Sequence, residues 1–302
     1  MSFKVIKSGF LATIQDNGRF GHAQHGISQS GVMDEHAYAW ANYLLDNHFN
    51  DAVIEITFGG LQLQAQDEAI IALTGADLDF KINNKPVALW HSIKIFEGDV
   101  LSCGYPKSGV RAYLAVKGGF NTEIMFGSKS VNLREHIGTK LENQDTLNCK
   151  SFEQCNYQVM PEKYRPNYSQ NLILRVLPSY QFNDFNTAQK DVFFNQNYTI
   201  SNANDRTGCR LNGTAIEIKE VAMISEGMSY GSVEIATDGL PIILLKDAPT
   251  IGGYAKIGTV FSLDLAKLAQ RQANTELKFE LISIDEAQKQ RQKFNQFFET
   301  FA

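Results

Sequence analysis

The chain has 302 residues, a length typical of two domains that each bury a core of their own. Its 28 Lys and Arg residues stand against 33 Asp and Glu residues, and the net charge of -5 argues against a nucleic-acid binder that neutralises phosphates. The apolar runs are far shorter than the roughly 20 residues that cross a bilayer, so no membrane span is expected. The N-terminus lacks the apolar stretch of a signal peptide, and we expect a cytoplasmic protein.

Most of the chain shows the two-residue period of β-strands, interrupted by Gly and Asn turn signals. The clearest predicted strands are residues 53–58, 61–65, 110–116 and 172–177. Turn signals lie at Asn17-Gly18, Gly59-Gly60, Asn83-Asn84, Gly118-Gly119, Asn212-Gly213 and Asp238-Gly239. This spacing favours antiparallel sheets or barrels over repeated β-α-β units. We therefore predict a mainly β protein with a few helices.

Helical periodicity is confined to four segments. The strongest is 34–46, with Asp34 as its N-cap and Asn47 as its stop. A weaker helix is predicted over 182–194, another after Asp264, and a last one near the C-terminus, where Ile284, Ala287, Phe294 and Phe298 form one apolar stripe.

A change of domain is predicted in the polar segment 150–170, which contains two prolines and neither period. The predicted domains are residues 1–160 and 161–302, each a β-rich barrel with a helix or two. A new strand begins at Asn171, just after this segment.

Neither a disulfide framework nor a metal site is indicated. The four cysteines, Cys103, Cys149, Cys155 and Cys209, form no C-x-x-C pair and have no His partner at zinc spacing, so they are expected to be buried thiols. His22 and His25 lie on a glycine-rich loop without the helical spacing of zincins. No metal ligand is therefore predicted.

The segment Gly227-Met228-Ser229-Tyr230-Gly231 matches the G-x-S-x-G nucleophile elbow. That fold needs a histidine downstream of the serine, yet all six histidines precede Ser229, and the following residues are strand-like instead of helical. We interpret the segment as a tight turn.

Three glycine-rich segments with charged side chains are the candidate binding loops. The first contains Asp16 and Arg19 and leads into the predicted helix at Asp34, whose free N–H groups and neighbouring guanidinium could bind an anion. A loop that caps its helix and carries a surface arginine is an alternative of equal weight. The second places Asp205 beside Arg206, either as a surface ion pair worth under about 1 kcal/mol or as a positioned acid and cation.

The third segment runs through Gly252, Gly253, Tyr254 and Lys256. Paired glycines let the backbone approach a ligand closely, and the lysine offers a positive charge to a phosphate or carboxylate. A turn with a solvated lysine is the commoner origin of such a string. Spacing alone decides none of the three segments.

Taken together, these segments make the chain resemble the family of allophanate hydrolase subunit 2, also called the KipA family or the family of the 5-oxoprolinase C subunit. The matching strings are TIQDNGRFGHAQHGISQSGVMDEHAYAWANYLLDN (13–47), AVIEITFGGLQLQ (52–64), TGAD (74–77), AYLAVKGGF (112–120), GSKSVNLREHIG (127–138), NDRTGCRLNG (204–213), SEG (225–227), TDGLPIILLKDAPTIGGYAKIGTV (237–260) and DLAKLAQ (264–270). Cys209 departs from the aromatic residue usual in the family, and Met228-Ser229-Tyr230 replaces a proline-bearing stretch. The resemblance implies two cyclophilin-like β-barrel domains, a fold shared with the carboxyltransferase domain of urea carboxylase.

The resemblance also implies work in a complex. A KipI-like subunit and a lactam-utilisation subunit would join this chain in the ATP-dependent opening of 5-oxoproline to L-glutamate. ATP, shared with the complex, is the expected cofactor, with Mg²⁺ considered beside it, and the chain has no biotin-attachment motif. One alternative is a carboxyltransferase-type subunit of a biotin-dependent urea or amide carboxylase. Another is a regulatory KipA-like antagonist that binds a KipI-like kinase inhibitor.

For the leading hypothesis, the small-molecule amide and the phosphates would be held by cations, acids and glycine backbone. The predicted catalytic acids or bases are Asp16, Asp205 and Glu226, and the predicted substrate or phosphate ligands are Arg19, Arg206, Tyr254, Lys256, Gly252 and Gly253. The loops that carry them are expected to share one pocket. We also expect Arg206→Ala to abolish turnover with little change in melting temperature, as for a surface ion pair.

Overall fold

The computed structural model describes residues 1–150, 157–217 and 225–298, which form two compact units. The first unit consists mainly of Met1–Arg19 and Ser30–Ser169. The second contains Phe20–Gln29 and Gln170–Phe297. The chain thus passes from one unit to the other after Ser169, while a short segment before Ser30 groups with the second unit. Cys155 lies outside the described residues.

The first unit is built from two sheets and a helix. Its elements are β1 (Ser2–Ser8), β2 (Leu11–Gln15), α1 (Glu35–Tyr43), β3 (Val53–Thr57), β4 (Leu61–Ala65), β5 (Ala69–Asp77), β6 (Lys81–Ile82), β7 (Lys85–Pro86), β8 (Ser92–Ile95), β9 (Val100–Ser102), β10 (Ser108–Val116) and β11 (Thr146–Asn148). One sheet has the order β11-β1-β4-β9-β6-β7, and the other β2-β3-β10-β5-β8. The described strand pairings within each sheet are antiparallel, as the turn spacing predicted.

The second of these sheets is buried on both faces. Along β10, Leu114 joins the core cluster that also contains Leu63 of the other sheet, whereas Tyr113 joins the cluster that contains Trp40 of α1. The side chains of a strand alternate between faces, so one strand serves both cores. The core therefore has three layers, sheet, sheet and helix.

Helix α1 begins where the sequence predicts. Asp34 is its N-cap, and its carboxylate accepts a hydrogen bond of 3.0 Å from the Ala37 N–H. The helix ends at Tyr43, slightly earlier than predicted. Asn47 then turns its amide to the Val116 carbonyl oxygen at 2.8 Å, which fixes the chain after the helix to β10.

The second unit is a closed barrel with helices around it. Its elements are β12 (Leu172–Pro178), α2 (Thr187–Phe194), β13 (Tyr198–Asn204), β14 (Gly208–Asn212), β15 (Glu226–Gly227), β16 (Ser232–Ile235), β17 (Pro241–Leu244), β18 (Ile251–Gly252), β19 (Ala255–Val260), α3 (Ser262–Leu268), β20 (Glu276–Leu281) and α4 (Ile284–Phe298). The barrel order is β12-β19-β16-β17-β14-β13-β20, and the parallel pair β12 and β20 closes it. Strands β15 and β18 form a separate two-stranded ribbon.

An ion pair fastens two helices to the barrel. Arg175 of β12 donates to both carboxylate oxygens of Asp264 in α3, at 2.7 and 2.8 Å, and to the Gln290 side chain in α4 at 2.8 Å. Burial raises the pKa of Asp264, but the Arg175 hydrogen bonds and Lys267 outweigh burial and lower it overall. Asp264 is therefore a structural carboxylate.

The prediction of a mainly β chain with a few helices is confirmed, and the second unit is the expected closed barrel. All four predicted helical segments contain helix, although the weak one is divided into a 3₁₀ helix at Tyr180–Asp184 and α2. Cys103, Cys149 and Cys209 are free and buried, as predicted. None of the described helices has the length and hydropathy to span a membrane.

Candidate functional site

A cluster of charged and aromatic side chains lies at the ribbon formed by β15 and β18. Glu226 of β15 forms an ion pair with Lys256 of β19, with 2.9 Å between its Oε1 and the ammonium nitrogen. The Tyr180 hydroxyl donates to Glu226 Oε2, and the Lys256 ammonium lies 5.6 Å from the centroid of the Tyr180 ring. Gln181 donates to the Tyr180 hydroxyl at 2.9 Å and so holds it in place. The cluster is partly open to solvent, with 23% of the Glu226 side chain exposed.

A register shift in the barrel places a second carboxyl group next to this lysine. Strands β16 and β19 pair Val233 with Gly258 but Glu234 with Lys256, so Ile257 is the extra residue of a β-bulge. Val233 and Ile257 are buried apolar residues, and strand alternation puts Glu234 on the opposite face from Val233. Glu234 and Lys256 are consequently direct cross-strand neighbours.

The two carboxyl groups have opposite electrostatic environments. Hydrogen bonds from Tyr180 and Lys256 lower the pKa of Glu226. Burial raises the pKa of Glu234 and outweighs the Tyr254 N–H and the Lys256 charge, which act in the other direction. The Glu226 carboxylate in turn raises the pKa of Tyr180. Paired acids with pKa values moved apart are typical of sites that transfer or hold protons.

The glycines predicted to bind ligand line the same cluster. Gly252 pairs with Glu226 in the ribbon, and a Cβ at Gly252 would lie 2.5 Å from Glu234 Oε1. At Gly253 a Cβ would find only Ser225 Oγ, at 3.5 Å. Of these two glycines, therefore, only Gly252 lies where a Cβ would clash with a neighbouring side chain. Tyr254 is half exposed and contributes its backbone N–H to Glu234.

Arg206 is held by a different acid from the one beside it in the chain. Its guanidinium binds Asp247 in a bidentate arrangement, at 2.8 and 3.1 Å. The side chains of Arg206 and Asp247 are only 11% and 6% exposed, so this is a buried pair and the expectation of a surface ion pair is wrong. Asp205 instead closes its own turn, accepting from the N–H groups of Thr207 at 2.6 Å and Gly208 at 3.1 Å.

Two further groups lie beside this pair in the second unit. The buried Lys246 places its ammonium 4.4 Å from the centroid of the Tyr230 ring. The Ser28 hydroxyl donates to the Ala248 carbonyl at 2.7 Å, which ties the loop before residue 30 to the segment after Asp247. The segment that the sequence analysis interprets as a tight turn contains Ser229, whose hydroxyl lies 3.1 Å from the Ser232 hydroxyl. Gly231 of the same segment has a φ of 88°.

Asp16 and Arg19 meet at Ser130 in the first unit. Asp16 is buried and accepts hydrogen bonds from the Ser128 and Ser130 hydroxyls, both at 2.6 Å, and from the Lys129 N–H at 2.7 Å. The buried Arg19 guanidinium donates to the Ser130 carbonyl oxygen. The Asp16 carboxylate therefore holds the loop 128–130 in place through these hydrogen bonds.

A cleft of about 250 Å³ lies beside this loop and is lined by Ser130, Lys129, Thr122 and Lys140 among others. Lys129 donates to the Phe120 carbonyl at 2.9 Å. Within the described residues no group of three His, Cys, Asp or Glu side chains is placed to hold a metal ion.

The structure thus gathers Glu226, Lys256, Gly252 and the Tyr254 backbone into one cluster, and leaves Arg206 with Asp247. Sequence reasoning missed Tyr180, Glu234, Asp247 and Lys246. A glutamate between the apolar residues of the Val233 to Ile235 strand was a usable signal, because a buried strand position rarely takes a charge without a reason.

Comparison with known proteins finds one family model and several named relatives that match this chain. The family model for the carboxyltransferase domain, subdomain A and B, matches residues 25–281. A Haemophilus influenzae protein named as the C subunit of 5-oxoprolinase is 35% identical over 285 residues, covering 93% of this chain and 92% of that protein. The Escherichia coli protein of the same name is 31% identical over 304 residues, covering 99% and 97%.

Solved structures agree on the fold. The crystal structure of the K. lactis urea amidolyase superposes with a TM-score of 0.91 at 24% identity, covering 100% of this chain and 20% of that one. At this identity the likeness concerns the fold alone.

Proposed function

This chain belongs to the carboxyltransferase domain family, subdomains A and B, and on that premise we propose that it is the C subunit of an ATP-dependent 5-oxoprolinase complex that opens 5-oxoproline to L-glutamate. The observation that carries the proposal is the 35% identity, over 93% of this chain, to a protein named as the C subunit of 5-oxoprolinase. The chain would act as one component of a cyclic amide hydrolase.

The cluster around Glu226 and Lys256 supports a lactam as the ligand. A lactam holds its amide cis, so its N–H donor and C=O acceptor lie side by side. Glu226 and Lys256 present the complementary acceptor and donor, 2.9 Å apart, and the Tyr180 hydroxyl, which donates to Glu226, holds that carboxylate in place. In this arrangement Lys256 would polarise the amide carbonyl, where negative charge develops when the ring opens.

The phosphate chemistry fits this chain less well than the amide does. ATP is the cofactor that the resemblance implies, and polyphosphates are bound by cations that are not already neutralised. Arg206 and Lys256 each hold a carboxylate at hydrogen-bond distance, and Arg19 is buried against a carbonyl oxygen. We therefore propose that the partner subunits contribute most of the phosphate and Mg²⁺ ligands.

We further propose that this chain works with a KipI-like subunit and a lactam-utilisation subunit, and that it is inactive without them. Exposed aromatic and aliphatic side chains in the first unit, among them Phe10, Phe58 and Tyr105, offer apolar surface for a partner. Phe10 and Phe58 contact each other edge to face, with 5.3 Å between their ring centroids.

Reconstitution tests the proposal. The three subunits are co-expressed, and glutamate formation from 5-oxoproline with ATP is measured for the complex and for each component separately. We expect activity only in the complex, reduced by about 100-fold or more by Lys256→Met, since this removes a donor to the developing charge. Lys278→Met is the matched control, because Lys278 is an exposed barrel lysine. Glutamate formation by an assembly that lacks this chain would contradict the proposal.

A carboxyltransferase role is the second candidate, favoured by the family description that matches residues 25–281. A donor and acceptor pair suited to an amide also suits urea. The purified complex is offered urea or 5-oxoproline with carboxybiotin, and transfer of the carboxyl group is followed. Carboxylation without glutamate formation would favour this second function.

A further inference from the structure

Among the described residues, Glu234 has an oxygen with neither a hydrogen-bond partner nor an ion pair. The residue is 5% exposed, and its Oε1 has no hydrogen-bond partner in the part of the chain that the structure describes. The Tyr254 backbone N–H lies near its carboxyl group and acts to lower its pKa. Most buried polar atoms in proteins have a partner, so this oxygen needs an explanation.

Gly252 closes the space over that oxygen. A Cβ built at Gly252 would lie 2.5 Å from Glu234 Oε1 and 2.8 Å from Met228 Cε. Among the described residues the oxygen therefore faces the Cα of Gly252, with the Met228 side chain packed against that glycine, and no N–H group donates to it. A buried charged oxygen without a donor is costly, whereas the carbonyl oxygen of a neutral carboxyl group costs far less.

The charges that face Glu234 point the same way. Lys256 lies directly across from it on β19, and the Lys256 charge lowers the pKa of Glu234 whereas the Glu226 charge raises it. The Tyr254 backbone N–H lies near the carboxyl group, and Met228 and Gly252 are uncharged. The ammonium of Lys256 is held by Glu226 at 2.9 Å, and the described residues show no such ion pair for Glu234. A carboxyl group beside a carboxylate that already holds the neighbouring cation is driven toward its neutral form.

We propose that Glu234 is a neutral carboxylic acid in the working protein and acts as a positioning residue that leaves Lys256 on Glu226. If Glu234 ionised, a second carboxylate directly opposite Lys256 would compete for its ammonium and draw it from Glu226. The lactam-binding role of Lys256 rests on the proposed function above. The protonation of Glu234 does not, because it follows from burial and contacts within this chain.

Infrared difference spectroscopy on the full chain tests the protonation directly. At neutral pH a protonated carboxyl group gives a C=O stretch distinct from that of carboxylates. We expect this band in the wild type and its loss in Glu234→Gln, whereas Glu276→Gln, an exposed glutamate of β20, keeps it. Spectra of the wild type and Glu234→Gln that differ by a carboxylate band instead would overturn the proposal, whatever reaction the complex catalyses.

The pH profile of the assembled complex tests the positioning role. Glutamine keeps the shape and neutrality of a protonated glutamate, so the pH dependence of kcat/KM in Glu234→Gln is compared with that of the wild type. In the wild type kcat/KM should fall as the pH rises through the pKa of Glu234, and Glu234→Gln should lack this fall. A loss of about 100-fold or more at neutral pH in Glu234→Gln would mean that the carboxyl group itself transfers a proton or carries the charge, and would overturn the proposal.

Discussion

Each unit of the molecule buries a glutamate on a barrel or sheet strand, and the two have opposite surroundings. Glu55 of β3 accepts hydrogen bonds at Oε2 from the Met33 N–H at 2.8 Å and the Tyr113 hydroxyl at 2.9 Å, and its Oε1 lies 4.0 Å from Arg111 Nε. Glu234 of β16 has, among the described residues, the Tyr254 backbone N–H nearby, an Oε1 without a hydrogen-bond partner, and the charges of Lys256 and Glu226 as neighbours.

This difference distinguishes a buried carboxylate that stabilises the fold, Glu55, from a buried carboxyl group at the candidate site, Glu234. The donors around Glu55 come from the loop before α1 and from β10, so the carboxylate joins three elements. Around Glu234 the described residues supply too few hydrogen-bond donors for a carboxylate. The partly exposed ion pair between Lys256 and Glu226 lies next to it. Incomplete satisfaction beside a titratable partner is typical of functional sites.

The largest loss of stability is expected where a buried ion pair loses one partner. This variant tests whether the loss depends on the pairing of the buried charge or on the unit in which the charge lies. Arg206→Ala leaves the buried Asp247 carboxylate without its bidentate partner, so we expect the free energy of unfolding to fall by about 3–5 kcal/mol. Chemical denaturation of the isolated chain measures this. Arg210→Ala is the control, because its pair with Asp238 is exposed and contributes under about 1 kcal/mol.

The Arg206→Ala variant also separates stability from turnover. Removing Asp247 as well should recover part of the loss, because no unpaired charge remains. An unchanged melting temperature in Arg206→Ala would show that the pair is solvated, as the sequence alone had indicated.

The glutamate of the first unit should be the less tolerant of an isosteric change. Glu55→Gln turns an N–H₂ group toward hydrogen-bond donors and removes the negative charge near Arg111. We expect the free energy of unfolding to fall by about 2–3 kcal/mol, the contribution of a hydrogen bond to a charged group. Urea unfolding of Glu55→Gln and of the exposed control Glu97→Gln measures the difference. If both variants unfold at the same urea concentration, Glu55 is not the structural member of the comparison.

Much of the fold could be predicted because its signals are local. Strand β4 has the predicted bounds, and Asp34 caps α1 as its sequence position indicates. The grouping of Phe20–Gln29 with the second unit could not be predicted, since long-range packing leaves no periodicity in a ten-residue loop. The length of the ribbon β15 and β18, two residues a strand, is also below what periodicity can detect.

The candidate site was predicted in part for the same reason. Gly252 and Lys256 were chosen because glycine next to a cation is visible in sequence, and Glu226 because it is an acid in a glycine-containing string. Glu234 was missed because its partner depends on the bulge at Ile257, and a one-residue shift in strand register is set by the folded barrel. Asp247 was missed since its pair with Arg206 joins residues far apart in sequence.

A smaller effect should follow from adding one methyl group at the covered oxygen. Gly252→Ala would bring a Cβ to 2.5 Å from Glu234 Oε1, so the ribbon has to shift and the unfolding free energy should fall by about 1–3 kcal/mol. Gly253→Ala is the matched control, because its nearest atom is Ser225 Oγ at 3.5 Å. Thermal melts and the affinity of the complex for 5-oxoproline are compared. Equal behaviour of the two variants would show that Gly252 does not cover Glu234.

The effect that distinguishes the two glutamates most directly is the change of stability with pH in Glu234→Gln. Burial raises the pKa of Glu234 above its ordinary value of 4.5, so the folded chain binds this proton more tightly than the unfolded chain. The stabilisation from the neutral form is therefore complete below pH 4.5 and is lost as the pH rises through the folded pKa. Each unit of elevation corresponds to about 1.4 kcal/mol. Glutamine does not titrate, so the variant should gain stability relative to the wild type as the pH rises, and urea unfolding across this range measures the gain. A difference that stays constant with pH would place Glu234 in the same class as Glu55, whose Oε2 accepts two hydrogen bonds.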